Sequence, residues 1–114
     1  MNRYTVGGII KSNVILNHTN TSNKPVLNVL VETEESFTTK SGERKKETNL
    51  HNIKCWGKTA QILHTNYNKG DYIIVSGRNE TEPDPDSGKL LSELVVQSIE
   101  NIHRKPFYSN KKRQ

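Results

Sequence analysis

The chain predicts an all-β domain: a small closed barrel of five strands, with one helix between the third and fourth. Three observations predict it. The content of Val, Ile and Thr is high, and β-branched residues fit a pleated, half-buried surface. Apolar residues recur with period two in several separate runs. One segment between the third and fourth runs has helical spacing instead. Length and composition agree: 114 residues allow one domain, and 31% hydrophobic residues with a mean hydropathy of −0.82 leave material for only a small core. A sheet that closes on itself needs less interior than a layered α/β fold.

The first strand is residues 4–10, ending in Gly7, Gly8, Ile9 and Ile10. Glycine inside a strand marks a bulge or a close backbone approach. Residues 13–16 continue this strand. His18 to Pro25 is a polar loop rich in Asn, Thr and Ser. From 26 to 33, Leu27, Val29 and Val31 alternate with Asn28, Leu30 and Glu32, which is the pattern of a half-buried strand. It runs on to Phe37 and gives way to a loop over 38–47, with a turn at Ser41 and Gly42.

The third strand, 48–56, is the most informative. His51, Ile53 and Cys55 fall on one face, and Leu50, Asn52, Lys54 and Trp56 on the other. Gly57 ends it. Thr59 is placed as a helix N-cap. Ala60, Ile62, Leu63 and Tyr67 follow at helical spacing, and Lys69-Gly70 stops the helix. A fourth strand covers 71–78, with Ile73 and Val75 opposed to Tyr72, Ile74 and Ser76. An acidic, proline-stiffened hairpin loop at 82–88 leads to the last strand, 89–99. This order is the layout of the oligonucleotide-binding Greek-key barrel. Residues 1–102 make that domain. Residues 103–114 form a basic tail read as flexible.

The net charge of +5 is unevenly spread. The tail carries all of it through Arg104, Lys105, Lys111, Lys112 and Arg113. Residues 1–102 hold twelve cations and twelve acids. Within them, 40–58 carry six cations against two acids, and 71–100 two cations against seven acids. That excludes a uniformly basic nucleic-acid binder and leaves one with a basic face and a basic tail. A single cysteine rules out an internal disulfide. No signal peptide precedes the first strand, and no apolar run approaches a membrane span, so a cytoplasmic protein without membrane contact is expected. The three Asn-x-Ser/Thr sequons are then accidental.

The chemistry points to binding rather than catalysis. Trp56 with Lys54 on an open sheet face offers a ring for base stacking and an ammonium for phosphate. His51 and Cys55 share a strand face, but no second pair completes a metal site and no partner orients them for catalysis, so both read as core or interface residues. The segment from Asp84 to Gly88 is too short for a calcium loop and reads as a turn. There is no phosphate-cradling glycine loop and no pair of carboxylates in an apolar pocket. No enzyme activity, metal or cofactor is expected. Tyr4, Tyr67 and Tyr72 are assigned to packing.

A set of short pieces, in order and at consistent spacing, resembles the bacterial single-stranded DNA-binding protein family. They are Thr33–Phe37, Ser41–Glu43, His51, Trp56–Ala60, Tyr67–Gly70, Ile74–Arg78 and Glu93–Val96, spread from Asn28 to Ile102. The resemblance implies a five-stranded barrel that binds single strands with little sequence preference. It places stacking residues at Phe37, Leu50 and Trp56 and in the hairpin at 79–89. Leu50 lacks a π face. The hairpin has no aromatic and carries Glu80, Glu82, Asp84 and Asp86, which repel phosphate. Lys58 matches a lysine beside the groove, and His51 a histidine near a subunit interface. Two departures are larger. The first strand lacks most of the family pattern, so the family tetramer does not carry over. The tail stands where the family has an acidic, apolar-tipped tail. A divergent member from a phage, plasmid or other mobile element is expected.

The expected site therefore comprises Trp56, Phe37 and Leu50 for stacking, and Lys54, Lys58, Asn52, Lys40, Arg44, Lys45 and Lys46 for phosphate and polar contacts. The tail adds Arg104, Lys105, Phe107, Tyr108, Lys111, Lys112 and Arg113. The expected function is coating and protection of exposed strands during replication or recombination. Expected partners are single-stranded DNA and replication proteins, with a homo-oligomer (dimer or tetramer) open. The alternative is a primosome-like accessory module whose main role is binding a helicase, primase or polymerase.

Overall fold

The structure is a computed structural model and describes residues 1–101; the tail contacts expected at 103–114, and Ile102, lie outside the described residues. Its elements are β1 (Tyr4–Ile10), β2 (Asn17–His18), β3 (Pro25–Thr38), β4 (Arg44–Trp56), α1 (Gly57–Asn66), β5 (Tyr72–Pro83) and β6 (Leu90–Ile99). The sheet order is β1-β5-β6-β4-β3-β2, with the two-residue β2 at the edge, and β1 pairs back onto β3 through Ile9↔Glu32 and Ile10↔Val31. Five strands thus close into a barrel. The closing step between β4 and β6 is a short parallel pairing, Ile53↔Leu94 and Lys54↔Val95.

Alternation fills the barrel as read from the sequence. Leu27, Val29 and Val31 of β3 are buried against Ile53 and Cys55 of β4, Ile73 and Val75 of β5, and Leu94 and Val96 of β6. Helix α1 adds Ala60 and Leu63 to the same core. Gly8 sits where β1 crosses β3, and a Cβ there would collide with the Glu32 carbonyl. The close approach expected of this glycine is what lets the barrel close. The β5–β6 ladder is irregular between Ser76 and Gly77, a bulge of the kind that bends a strand around a barrel.

Two buried groups have their acidity shifted. Burial pushes the Cys55 thiol up from about 9 to about 12. Tyr67, just past the helix, donates its hydroxyl to Asn101 Oδ1 at 2.9 Å. Burial pushes its phenol up to about 12, and the negative charge of Asp71 acts in the same direction. Asn101 Oδ1 also accepts from the Ile74 N–H, and Asn101 Nδ2 donates to the Tyr72 carbonyl, so one side chain ties the end of β6 to the start of β5.

Several expectations are corrected. The 38–47 loop is mostly strand: β3 runs to Thr38, β4 begins at Arg44, and only Thr39–Glu43 turns. The ladder from Thr33↔Asn49 to Thr38↔Arg44 supplies what the charged sequence hides, since backbone pairing does not need apolar side chains. Likewise β5 extends five residues past Arg78 to Pro83. Residues 13–16 are not strand; Val14 and Leu16 pack on the core instead, and β2 forms one step later against Pro25 and Val26. Thr59 is not the N-cap. The helix starts at Gly57, whose φ of +58° turns the chain straight out of β4, and Trp56 holds the cap position without a side-chain bond. Tyr67 is buried as expected, but Tyr4 and Tyr72 are substantially exposed. Among the described residues, no helix is long and apolar enough to cross a membrane.

Candidate nucleic-acid interface

Beyond the barrel, both long hairpins continue as exposed two-stranded ribbons. The β3–β4 ribbon covers about 33–49, past the last β1–β3 pair at Glu32. The β5–β6 ribbon covers about 79–93, past the β4–β6 pair at Leu94. Every β4 side chain from Arg44 to Leu50 is exposed.

Along β4 the outward face carries Trp56, Lys54, Asn52 and Leu50, continuing by alternation to Lys46 and Arg44. Trp56 is half-buried, so its ring is held but accessible. Two ammonium groups lie 5.2 Å from the ring centroid: Lys54, two residues earlier on the same face, and Lys24, at the entry to β3. Such cation–π contacts place positive charge beside the ring, where a phosphate would pass if a base stacked there. Lys58 is exposed in the first turn of α1, just beyond Trp56. Leu50 is 59% exposed and offers an apolar surface. Asn52 is exposed and makes only a long 3.4 Å bond to the Ser92 carbonyl, so its amide is available to a base edge. His51 sits at the barrel rim, with Nε2 3.0 Å from the Thr33 hydroxyl.

Lys24 was not read as a site residue. It lies 32 residues before Trp56, on a strand pairing that no local pattern reveals. Glu93 was missed for the same reason. Its carboxylate pairs with Lys54 Nζ at 3.5 Å, both side chains being about one quarter exposed. Glu93, Asn52 and Ser92 border a shallow groove of about 510 Å³ that also takes in Tyr4, Leu50 and Asn79.

The expected residues are not all brought together. Trp56 and Lys45 are eleven residues apart on one strand, roughly 36 Å at about 3.3 Å per residue. Phe37 pairs with Lys45 at the far end of the ribbon. The two share the parity of the core-facing residues Val31 and Ile53, so alternation puts them on the face opposite Trp56. A single stacking face holding Phe37 and Trp56 together is therefore corrected: pleat and distance both separate them. Lys46 remains on the Trp56 face, where Glu34 pairs with it at 3.5 Å. Lys40 lies in the turn at the ribbon's tip.

Comparison with known proteins agrees with this architecture. The family model described as the single-strand binding protein family matches residues 1–101. Single-stranded DNA-binding protein 1 of Chlorobaculum tepidum is 30% identical over 88 residues, 74% of this chain and 54% of that protein. The single-stranded DNA-binding protein of Aquifex aeolicus is 26% identical over 85 residues, 73% of this chain and 58% of that protein. The chain thus spans a little over half the length of these curated relatives. Among solved structures, the wild-type single-stranded DNA binding protein of Thermus aquaticus superposes with a TM-score of 0.75 at 20% identity, over 88% of this chain and 49% of that one. A Plasmodium falciparum SSB in complex with ssDNA superposes with a TM-score of 0.71 at 20% identity, over 84% and 86%. The shared barrel, the match over residues 1–101 and the retained sequence pieces lead to one conclusion: this chain belongs to the single-strand binding protein family.

Proposed function

We propose that this protein binds single-stranded DNA along the outward face of β3 and β4, without sequence specificity, and coats exposed strands during replication or recombination. The observation that carries the reading is Trp56, half-exposed on an open sheet face with the ammonium groups of Lys24 and Lys54 each 5.2 Å from its ring centroid. Base stacking on such a ring contributes about 1–3 kcal/mol per base and tolerates any base, because each has a π face. Leu50 and Asn52 extend the track with an apolar contact and an amide, and Lys58, Lys46 and Arg44 extend its positive charge. The relatives' names point the same way. It acts as a binding protein rather than an enzyme, and the cytoplasm, where DNA is replicated, suits that role.

Glu93 tempers the site. It already neutralises Lys54, so a phosphate must compete with a carboxylate for the same ammonium. The test is Trp56 fluorescence titrated with oligo-dT at low and moderate salt, with Trp56→Ala followed by the mobility of labelled DNA. Quenching that weakens with salt, and loss of binding in the variant, are expected. Intact DNA binding without quenching would move the strand off this face.

A further inference from the structure

Two features lie outside the proposed DNA track. One is the Phe37–Lys45 face of the first ribbon. The other is the tip of the second ribbon, which is acidic on balance and repels a phosphate. Each pairs an exposed apolar side chain with charge of one sign. Phe37, 45% exposed, sits beside Lys45, with Lys40 in the turn at the same tip. Leu90, 71% exposed, faces Pro83 across the ladder, beside the turn that holds Asp84 and Asp86. Residues 79–93 carry five acids and one lysine. Residues 36–46 carry four cations and one acid. Among the described residues, no ion pair joins the two tips; the short pairs Lys46–Glu34 and Arg78–Glu80 stay within their own hairpins.

We propose that the occupant of each tip is a second copy of this chain: the Phe37–Lys45 face of one copy seats on the Leu90–Pro83 face and Asp86 of the next. Apolar contact at the centre with opposite charges at the rim is how protein interfaces are commonly built. The two surfaces differ, so the contact is head-to-tail. It does not close on itself as a two-fold dimer does, and it propagates into open chains. Two ribbon tips bury far less than the roughly 1,200–2,000 Å² of a stable interface, so the junction is weak and salt-sensitive. Copies bound side by side on one strand would feel it more strongly, because tethering raises the effective concentration. That last consequence rests on the DNA-binding reading; the junction does not.

The test is sedimentation of DNA-free protein over a range of concentrations, at about 0.05 M and about 0.5 M salt. The average mass is expected to climb with concentration at low salt, without a plateau at dimer, and to fall at high salt. If a salt-resistant oligomer forms through another surface, the climb is read above that species. Two variants decide the assignment. Lys40→Glu with Lys45→Glu makes both tips of a copy acidic, and Asp86→Lys removes the negative balance of its turn. Each alone should lose the climb. Mixed in equal amounts they should regain it, because each acidic arm now meets a hairpin carrying Lys. A variant that had merely unfolded could not restore association in a mixture. An average mass insensitive to these reversals, or a mixture that stays dissociated, would overturn the proposal. Because no DNA is present, failure here leaves the Trp56 reading standing, and failure of DNA binding leaves this one standing.

Discussion

The two ribbons share a backbone plan and oppose each other in nearly everything else. Both leave the same barrel as antiparallel pairs, both end in turns of about five residues, and both are exposed along most of their length. The first is basic at its tip and has Trp56 and Lys54 at its root. The second is acidic, lacks an aromatic and contributes Glu93 at its root. Backbone pairing alone holds a ribbon of this kind, so its side chains are free to carry function. The lesson is that the fold specifies where the ribbons stand, and charge sets what each of them can meet.

The sharpest ways to test that contrast differ in size. The largest effect should fall on neither ribbon but on the barrel they share. Cys55 and Tyr67 keep their protons in the folded state up to about pH 12, whereas the unfolded chain releases them from about pH 9 and 10. The folded state then holds more protons than the unfolded one, so stability is at its full value below pH 9. It falls as pH climbs through this window, by about 4 kcal/mol at pH 11 and about 6 kcal/mol by pH 12. Urea midpoints at pH 8, 10 and 11 would show it, and a flat profile would contradict the burial of both groups.

Next in size, Trp56→Ala should weaken oligo-dT binding by about 10- to 100-fold, the loss of roughly one stacked base. Leu91→Ala on the acidic ribbon should leave the same titration within about twofold. Equal losses from both would erase the distinction between the ribbons. Reversing Arg44 and Lys46 to Glu should cost less, and should flatten the plot of log affinity against log salt by about 0.7 for each phosphate contact removed. An unchanged slope would mean that the strand leaves the sheet before reaching the ribbon. The smallest expected effect has the opposite sign. Glu93→Gln should free Lys54 and tighten binding by about two- to fivefold, since partly exposed ion pairs are worth only about 0.2–1 kcal/mol. The slope should steepen as a new phosphate contact forms. Weaker binding in this variant would make Glu93 part of the site rather than a competitor in it.

What the sequence revealed and what it hid follow from the range of the forces involved. Leu27, Val29, Val31, Ile53 and Cys55 announced the barrel because burial imposes a period on neighbours in sequence. The Gly8 crossing was legible in part, because glycine in a strand signals a bulge or a close approach, and only the fold shows that it is the second. Residues 38–47 hid their strands because charged side chains on an exposed ribbon have no face to bury, so no period is imposed. Thr59 misled because it has a good capping side chain, yet Gly57 had already turned the chain. Lys24 and Glu93 were silent for another reason: they meet Trp56 and Lys54 across strands, and their chemistry exists only once the sheet has set the register. Phe37 shows the converse. Its residue type suited stacking, but its parity and its distance along the ribbon set it on the face opposite Trp56.

The buried thiol of Cys55 makes the protein its own stopwatch. It is the chain's single cysteine, it has no solvent exposure, and it lies among residues contributed by four other strands. An alkylating reagent needs the thiolate in contact with solvent, and neither condition is met while the barrel is shut. The rate at which the thiol is captured therefore counts barrel openings, without any dye or engineered probe. Added to a mixture with a candidate ligand, the same reagent reports binding as a slower loss of thiol, because a ligand held only by the closed form makes every opening rarer.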